Sequence, residues 1–246
     1  IASCLVGSEM CIRDSPYVGK LVHNLNWSQL QTLSCDKKLA DFPGQKVAKD
    51  NRMIQLKDVF DIVKKYGAEK DIYYNIETKV EADDHSKSAE PKEFVDAIMG
   101  AVKDAGVQDK VMIQSFDWRT FPLMKDVAPE VPLVMLYDET TWLKDSKWTG
   151  DVNYDDVNGD VIKAAKKLGV QVLSPGYTNP YGLLPGQKDY KLVADKKFID
   201  AAHKEGLRVV PWTIDNKDVL AQQIEAGADG IITDYPTMLR KVMKDK

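Results

Sequence analysis

The stretch DIYYNIETK, Asp71 to Lys79, ends in a carboxylate and an ammonium. Ile72, Tyr74 and Ile76 alternate with Tyr73, Asn75 and Glu77, so bulky residues fall on both faces, as in the buried strands of parallel sheets. Glu77 and Lys79 lie two residues apart and share a face. Opposite charges at the end of a buried strand serve either a mouth that needs both or an ion pair inside the fold. Other chemistry-bearing residues fall at equivalent places. Gln114 and Ser115 end KVMIQSF and are expected to line the mouth and contact substrate. Asp138 ends PLVMLYD, Ser174 lies in VQVLSPGY, and Trp212 in LRVVPWTID reads as a rim aromatic facing inward. Asp234 reads as fixing its loop or capping the next helix, and Asp117 as an N-cap. Trp142 and Trp148 occupy a long polar loop and could form a lid. His23 lies in a connector, His85 in a polar loop and His203 within a helix, so each reads as a solvated or helix-surface residue.

The elements that position these residues alternate from about residue 55 onward. IQLKDVFDIVKKYG places Ile54, Val59, Ile62 and Val63 at helical spacing and stops at Gly67. A strand follows at 72–79, a helix from Pro91 to Gly106 and a strand ending at Phe116. A short helix at about 118–127 leads to a strand at 132–138. Three further helix–strand units lead to a final helix from Pro236, six strands in all. Unbroken alternation predicts a parallel sheet with helices packed outside. No G-x-G-x-x-G loop follows any strand. Chemistry gathered at many strand ends favours a closed (β/α)8 barrel over an open doubly wound sheet. Eight strands would require two before the helix at 55–66, and the first 54 residues do not supply them convincingly.

Composition sets outer bounds. The chain has 246 residues, 43% hydrophobic and 29% charged, enough for a full core. A net charge of −4 offers no basic face for nucleic acid. No apolar run approaches the roughly 18 residues of a membrane span. Cys4, Cys11 and Cys35 lack metal-ligand spacing and are too few for a disulfide scaffold, which leaves the redox compartment open.

NIETK, IQSFDWRT, LSPGY, GLRVVPWTID and GADGIITDYPTMLR, in this order and spacing, resemble the glycerophosphodiester phosphodiesterase family. LNWSQLQTLSC, FPGQ and MIQLKDVFDIV resemble that family's connector after its second strand, so the likeness spans roughly residues 20 to 243. The resemblance implies a (β/α)8 barrel that hydrolyses glycerophosphodiesters to glycerol 3-phosphate and an alcohol. It also implies one divalent cation, Ca²⁺ or Mg²⁺, held by three carboxylates, with two histidines as general acid and base. Glu77 would be one metal ligand. Lys79 would be catalytic, offsetting phosphate charge, and both must then face one mouth. With Gln114, Ser115 and Trp212 it would bind substrate, a small molecule. The oligomeric state stays open.

The family's His-Arg-Gly, Glu-Asn-Thr and His-Asp motifs do not occur in these 246 residues, and no Glu-x-Asp pair falls before residue 55, where the family's second strand should carry it. SCLVGSEMCIRDS resembles translated adapter sequence, so residues 1–15 read as foreign and 16–246 as a single incomplete barrel, inactive through truncation. IASC also has the shape of a lipoprotein cleavage box, though no charged and apolar leader precedes it. The competing functions are a degenerate, non-catalytic barrel used for binding and a phospholipase D-like enzyme of the spider-venom type. By family analogy the location is periplasmic or secreted, with the cytoplasm as alternative.

Overall fold

A computed structural model describes residues 16–17, 19–40 and 42–245. Residues 1–15, read above as foreign, lie outside the described residues. The chain divides into two compact units. Within the described residues, one comprises those up to Ile72 together with Asp84–Gly106, and the other comprises Tyr73–Asp83 with the chain from Val107 onward.

In the first unit, helix α1 (Trp27–Leu30) starts with a capping box between Asn26 and Gln29. Helix α2 (Leu56–Lys65) follows Gln55, whose N–H donates to Asp58 at 2.7 Å. Its inner stripe is Leu56, Val59, Phe60 and Val63, while Ile54 and Ile62 are exposed. That corrects the helical face read from sequence. Ile54 precedes the helix, and Ile62 lies two residues from Phe60, about 200° around the axis. Helix α3 (Pro91–Ala105) opens on proline and closes on Gly106 in the left-handed region, at φ 68°. Its buried stripe of Val95, Ile98, Met99 and Val102 has i, i+3, i+4, i+7 spacing, and α3 packs on α2.

The second unit is a five-stranded parallel sheet in the order β1 (Tyr74–Glu77), β2 (Val111–Ser115), β3 (Leu133–Tyr137), β4 (Val172–Pro175) and β5 (Arg208–Val209). Helices α4 (Thr120–Val127), α5 (Val161–Leu168), α6 (Lys196–Lys204), α7 (Lys217–Ala226) and α8 (Pro236–Lys244) complete it. This is an α/β fold of partial (β/α)8-barrel type. Helices α5, α6 and α7 start from side-chain caps at Asp160, Asp195 and Asn216. β3, central in the sheet, is buried along its whole length.

The sixth strand expected from sequence is paired but not regular. Asp229 N–H donates to Val209 O and Ile232 N–H to Pro211 O, while Ile214 N–H donates to Ile232 O. The segment therefore runs parallel beside β5 and its extension. Pro211 has no N–H to give the ladder, so β5 itself keeps only two residues. Beyond it, Tyr177, Ile214, Val219, Leu220 and Val242 form a buried cluster under α7 and α8.

Candidate functional site

Register decides which side chains can meet. Glu77 pairs with Gln114, Gln114 with Val134 and Leu136 with Ser174. Residues in register share a face of the sheet, and alternation puts Ser115, Met135 and Tyr137 on the other. Gly176, two after Ser174, bridges to Trp212. Glu77, Gln114 and Trp212 therefore lie on one face, at the C-terminal ends of their strands.

Lys79 joins them through Glu77. Its Nζ lies 2.9 Å from Glu77 Oε1, with the two side chains 29% and 24% exposed. The same Nζ stands 6.0 Å from the Phe116 ring centroid. Phe116 meets Trp212 edge-on at 5.3 Å and Trp148 edge-on at 6.3 Å. Trp212 continues the wall to Tyr181 at 4.9 Å, and Tyr181 to Tyr177 at 5.4 Å. Trp212 is held from behind, its Nε1 donating to Ser174 O at 2.8 Å. A cation and a carboxylate thus stand at the edge of a continuous aromatic wall.

Gly176 is what lets this wall close. A Cβ there would come within 3.1 Å of Tyr181, 3.4 Å of Asp138 and 3.6 Å of Trp212. Asp138 itself folds back, its Oδ1 accepting from the backbone N–H groups and hydroxyls of Thr140 and Thr141.

The structure redistributes several residues expected at the mouth. Gln114 is there, and its Oε1 accepts from Asn75 Nδ2 at 2.6 Å, which fixes the amide. Ser115 is a correction. It is fully buried on the opposite face, bonded to Thr78 Oγ1 at 2.7 Å and to Asp117 O at 2.9 Å. Neighbouring strand residues point to opposite faces, so Gln114 and Ser115 cannot both line one mouth. Asp117 is not an N-cap. α4 starts at Thr120, and the buried Asp117 carboxylate instead takes Arg119 N–H and the Arg119 guanidinium. Of the two loop tryptophans, Trp148 borders Phe116 and donates from Nε1 to Asp83 at 3.0 Å. Trp142 packs between Trp118 and Tyr154.

Asn75, Phe116 and Tyr181 are site residues that the sequence reading missed. Two of them had a signal: Asn75 and Phe116 stand two residues from Glu77 and Gln114 and so share their face. Tyr181 had none, because it arrives on an irregular loop after β4.

The histidine of this unit does not supply acid–base chemistry to this face. His203, the only histidine in this unit's sequence, places Nε2 2.8 Å from Asp229 Oδ2. Asp229 also accepts from Arg208 and from Val209 N–H, which puts the cluster at the N-terminal ends of the strands. Burial alone would raise the Asp229 carboxyl, but the hydrogen bonds from His203, Val209 and Arg208 outweigh it and hold it below the usual value. His85 pairs with Glu90 at 2.7 Å in the other unit.

The expected Ca²⁺ or Mg²⁺ ion is also corrected. Among the described residues no group of three or more His, Cys, Asp or Glu side chains could hold a metal. Glu77, the expected ligand, is engaged by Lys79, and one carboxylate falls far short of the six or more oxygens of a Ca²⁺ site. Among the described residues no helix is long and apolar enough to cross a membrane.

Comparison with known proteins agrees with the fold. A glycerophosphodiester phosphodiesterase from Caldanaerobacter subterraneus subsp. tengcongensis is 25% identical over 201 residues, covering 82% of this chain and 65% of that protein. The chain thus spans somewhat under two thirds of that relative's length. A dermonecrotic toxin from the spider Loxosceles hirsuta is 36% identical over 99 residues, 39% of this chain and 34% of the toxin. Among solved structures, a protein from Silicibacter pomeroyi assigned to the glycerophosphoryl diester phosphodiesterases superposes with a TM-score of 0.76 at 21% identity, covering 100% of this chain and 78% of that one. An Oleispira antarctica phosphodiesterase, solved with the product sn-glycerol-3-phosphate, gives 0.64 at 15% identity, covering 98% and 82%. The family model for glycerophosphoryl diester phosphodiesterases matches residues 9–238, and the chain belongs to that family.

Proposed function

We propose that this chain carries the substrate-holding face of a phosphodiesterase that hydrolyses glycerophosphodiesters to glycerol 3-phosphate and an alcohol. The observation that carries the reading is the Lys79–Glu77 pair at the edge of the Phe116–Trp212–Tyr181 wall. An ammonium has three donors, of which Glu77 takes one, so Lys79 can offer the others to a phosphate. That ammonium offsets the charge that gathers on phosphate oxygens in the transition state. Gln114 is held by Asn75 with its amide nitrogen left to donate, and Trp212 and Phe116 give a glycerol moiety an apolar surface.

Proton transfer is the part this face does not provide. Activating the nucleophile and protonating the leaving alkoxide contribute typically 10²–10⁴-fold each. With His203 committed to Asp229 at the other end of the strands, we propose that the 246 residues alone bind glycerol 3-phosphate but turn over glycerophosphocholine only weakly.

Two measurements test this. Calorimetry should show saturable glycerol 3-phosphate binding that Lys79→Ala weakens roughly tenfold to a hundredfold, and a coupled glycerol 3-phosphate dehydrogenase assay should show little release from glycerophosphocholine. Binding indifferent to Lys79 would sink the reading. The match to the spider toxin supports a second reading, phospholipase D-like cleavage, for which the released alcohol and the phosphate product are the discriminating assay. Binding without turnover in every longer form of the protein would instead favour a non-catalytic barrel. A periplasmic or secreted location rests on family analogy and is tested by fractionating cells that express the full gene.

A further inference from the structure

Lys79 lies beyond the last ladder pair of β1, Glu77 with Gln114, so the ladder does not orient it. A tight turn does: Val80 N–H donates to Thr78 O at 2.9 Å, with Lys79 at the tip. The residues on either side are buried, Thr78 at 2% exposure and Val80 at 6%. The direction in which Lys79 leaves the sheet therefore rests on how firmly Thr78 is held.

Thr78 is held at two points on β2. Its N–H donates to Gln114 O at 3.0 Å, and its hydroxyl donates to Ser115 Oγ at 2.7 Å. Ser115 Oγ in turn donates to Asp117 O at 2.9 Å and accepts from Asp117 N–H at 3.0 Å. Thr120, in the first turn of α4, brings a third hydroxyl within 3.1 Å of Thr78 Oγ1 and 3.3 Å of Ser115 Oγ. With the other two protons placed, the Thr120 proton is left for Thr78, so each hydroxyl of the trio has a partner. Ser115 and Thr120 are fully buried. Apolar side chains of the same shape would fill this space at little cost. A fully satisfied hydroxyl network in a dry interior adds direction, fixing one arrangement of the groups that carry it.

On the reading of Lys79 as the group that holds phosphate, we propose that Thr78 is its positioning residue. The buried Thr78–Ser115–Thr120 trio fixes the turn that aims the ammonium into the mouth beside Glu77. Thr78 itself touches no ligand. Without its hydroxyl the turn populates other orientations, and affinity falls with the fraction of chains left in the competent one.

Calorimetric titration of glycerol 3-phosphate into the full chain tests this as a double-mutant cycle. Thr78→Val keeps the shape and removes the hydroxyl, and should weaken binding roughly two- to tenfold, the span set by one net hydrogen bond. Thr78→Ser restores the hydroxyl and should recover most of the affinity. In the Lys79→Ala background Thr78→Val should cost no further affinity, because no ammonium is left to aim. Thr120→Val removes only the outer hydroxyl and should weaken binding in the same direction by less. It carries the test if near-UV circular dichroism shows that Thr78→Val does not fold. Lower stability in urea with unchanged affinity in these valine variants would make the trio structural and overturn the proposal. Equal losses of affinity in the parent and Lys79→Ala backgrounds, or no recovery in Thr78→Ser, would overturn it too. Affinity untouched by Lys79→Ala alone would instead remove the reading of Lys79, and this inference with it.

Discussion

Two clusters of charge sit at opposite ends of the same parallel sheet. At the N-terminal end, Asp229 is saturated, with His203 at 2.8 Å, Arg208 at 3.0 Å and Val209 N–H at 2.8 Å. At the C-terminal end, Lys79 and Glu77 hold each other at 2.9 Å, and most of their hydrogen-bonding capacity stays unused beside an aromatic wall. The first arrangement ties α6 to the edge of the sheet and leaves nothing for a ligand. The second is pre-positioned and under-coordinated, as a binding site must be. The contrast shows why charge density alone does not mark function: what matters is how many donors and acceptors the fold has already spent.

The largest expected effect comes from the wall itself. Trp212 is 8% exposed and joins Phe116, Tyr181 and Ser174. Truncating a buried aromatic to alanine costs about 3–5 kcal/mol. Trp212→Ala should lower stability by that amount in urea unfolding and abolish glycerol 3-phosphate binding. A stability loss with affinity intact would detach the wall from the site.

Lys79→Ala separates the two ends more cleanly. A hydrogen bond to a charged group is worth about 1.5–3 kcal/mol, so affinity for glycerol 3-phosphate should fall roughly tenfold to a hundredfold. Partly exposed ion pairs contribute only about 0–1 kcal/mol to stability, so unfolding should barely change. Equal losses of stability and affinity would make Lys79 structural.

Asp229→Ala should do the reverse. It strands the Val209 N–H, whose residue is fully buried, and costs about 1–3 kcal/mol of stability with glycerol 3-phosphate affinity unchanged. A pH signature accompanies it. Asp229 in the folded chain titrates below its usual 3.8, so near and below that pH the unfolded chain takes up a proton first. Its stabilisation is complete above about pH 4 and is lost as pH falls through the folded value. Unfolding followed between pH 5 and about pH 2 should show this loss in the parent chain and its attenuation in Asp229→Asn.

These contrasts were unevenly legible in the amino-acid sequence. Two-residue spacing put Glu77 beside Lys79, and strand–helix alternation placed Gln114 and Trp212 at the same strand ends. The same rule of alternation, applied one residue further, would have turned Ser115 outward. The inner stripe of α2 shifted because Ile54 lies before the helix starts. The irregularity of the sixth strand came from Pro211, a missing donor in its neighbour and not a feature of the strand itself. Tyr181 and Trp148 reach the site from loops, where no periodicity reports direction. His203 had been read as a helix-surface residue, and its tie to Asp229 joins positions 26 residues apart that only the folded sheet brings together.

The smallest effect discriminates most finely. A phosphate approaching Lys79 meets Glu77 as both a competitor for the ammonium and a like charge. Glu77→Gln keeps the shape and one acceptor oxygen but removes the charge. If Glu77 only poises Lys79, affinity for glycerol 3-phosphate should rise a few-fold, the scale of a partly exposed pair worth about 0–1 kcal/mol. Stability should stay within the same margin, and the fall of affinity with added salt should steepen, since the screened attraction of Lys79 is no longer offset by the Glu77 charge. Calorimetry at two ionic strengths reads both quantities. A fall in affinity of tenfold or more would mean that the carboxylate itself contacts the ligand, through a glycerol hydroxyl for example. The C-terminal cluster would then be as fully employed as the N-terminal one, differing only in that its last partner comes from solution.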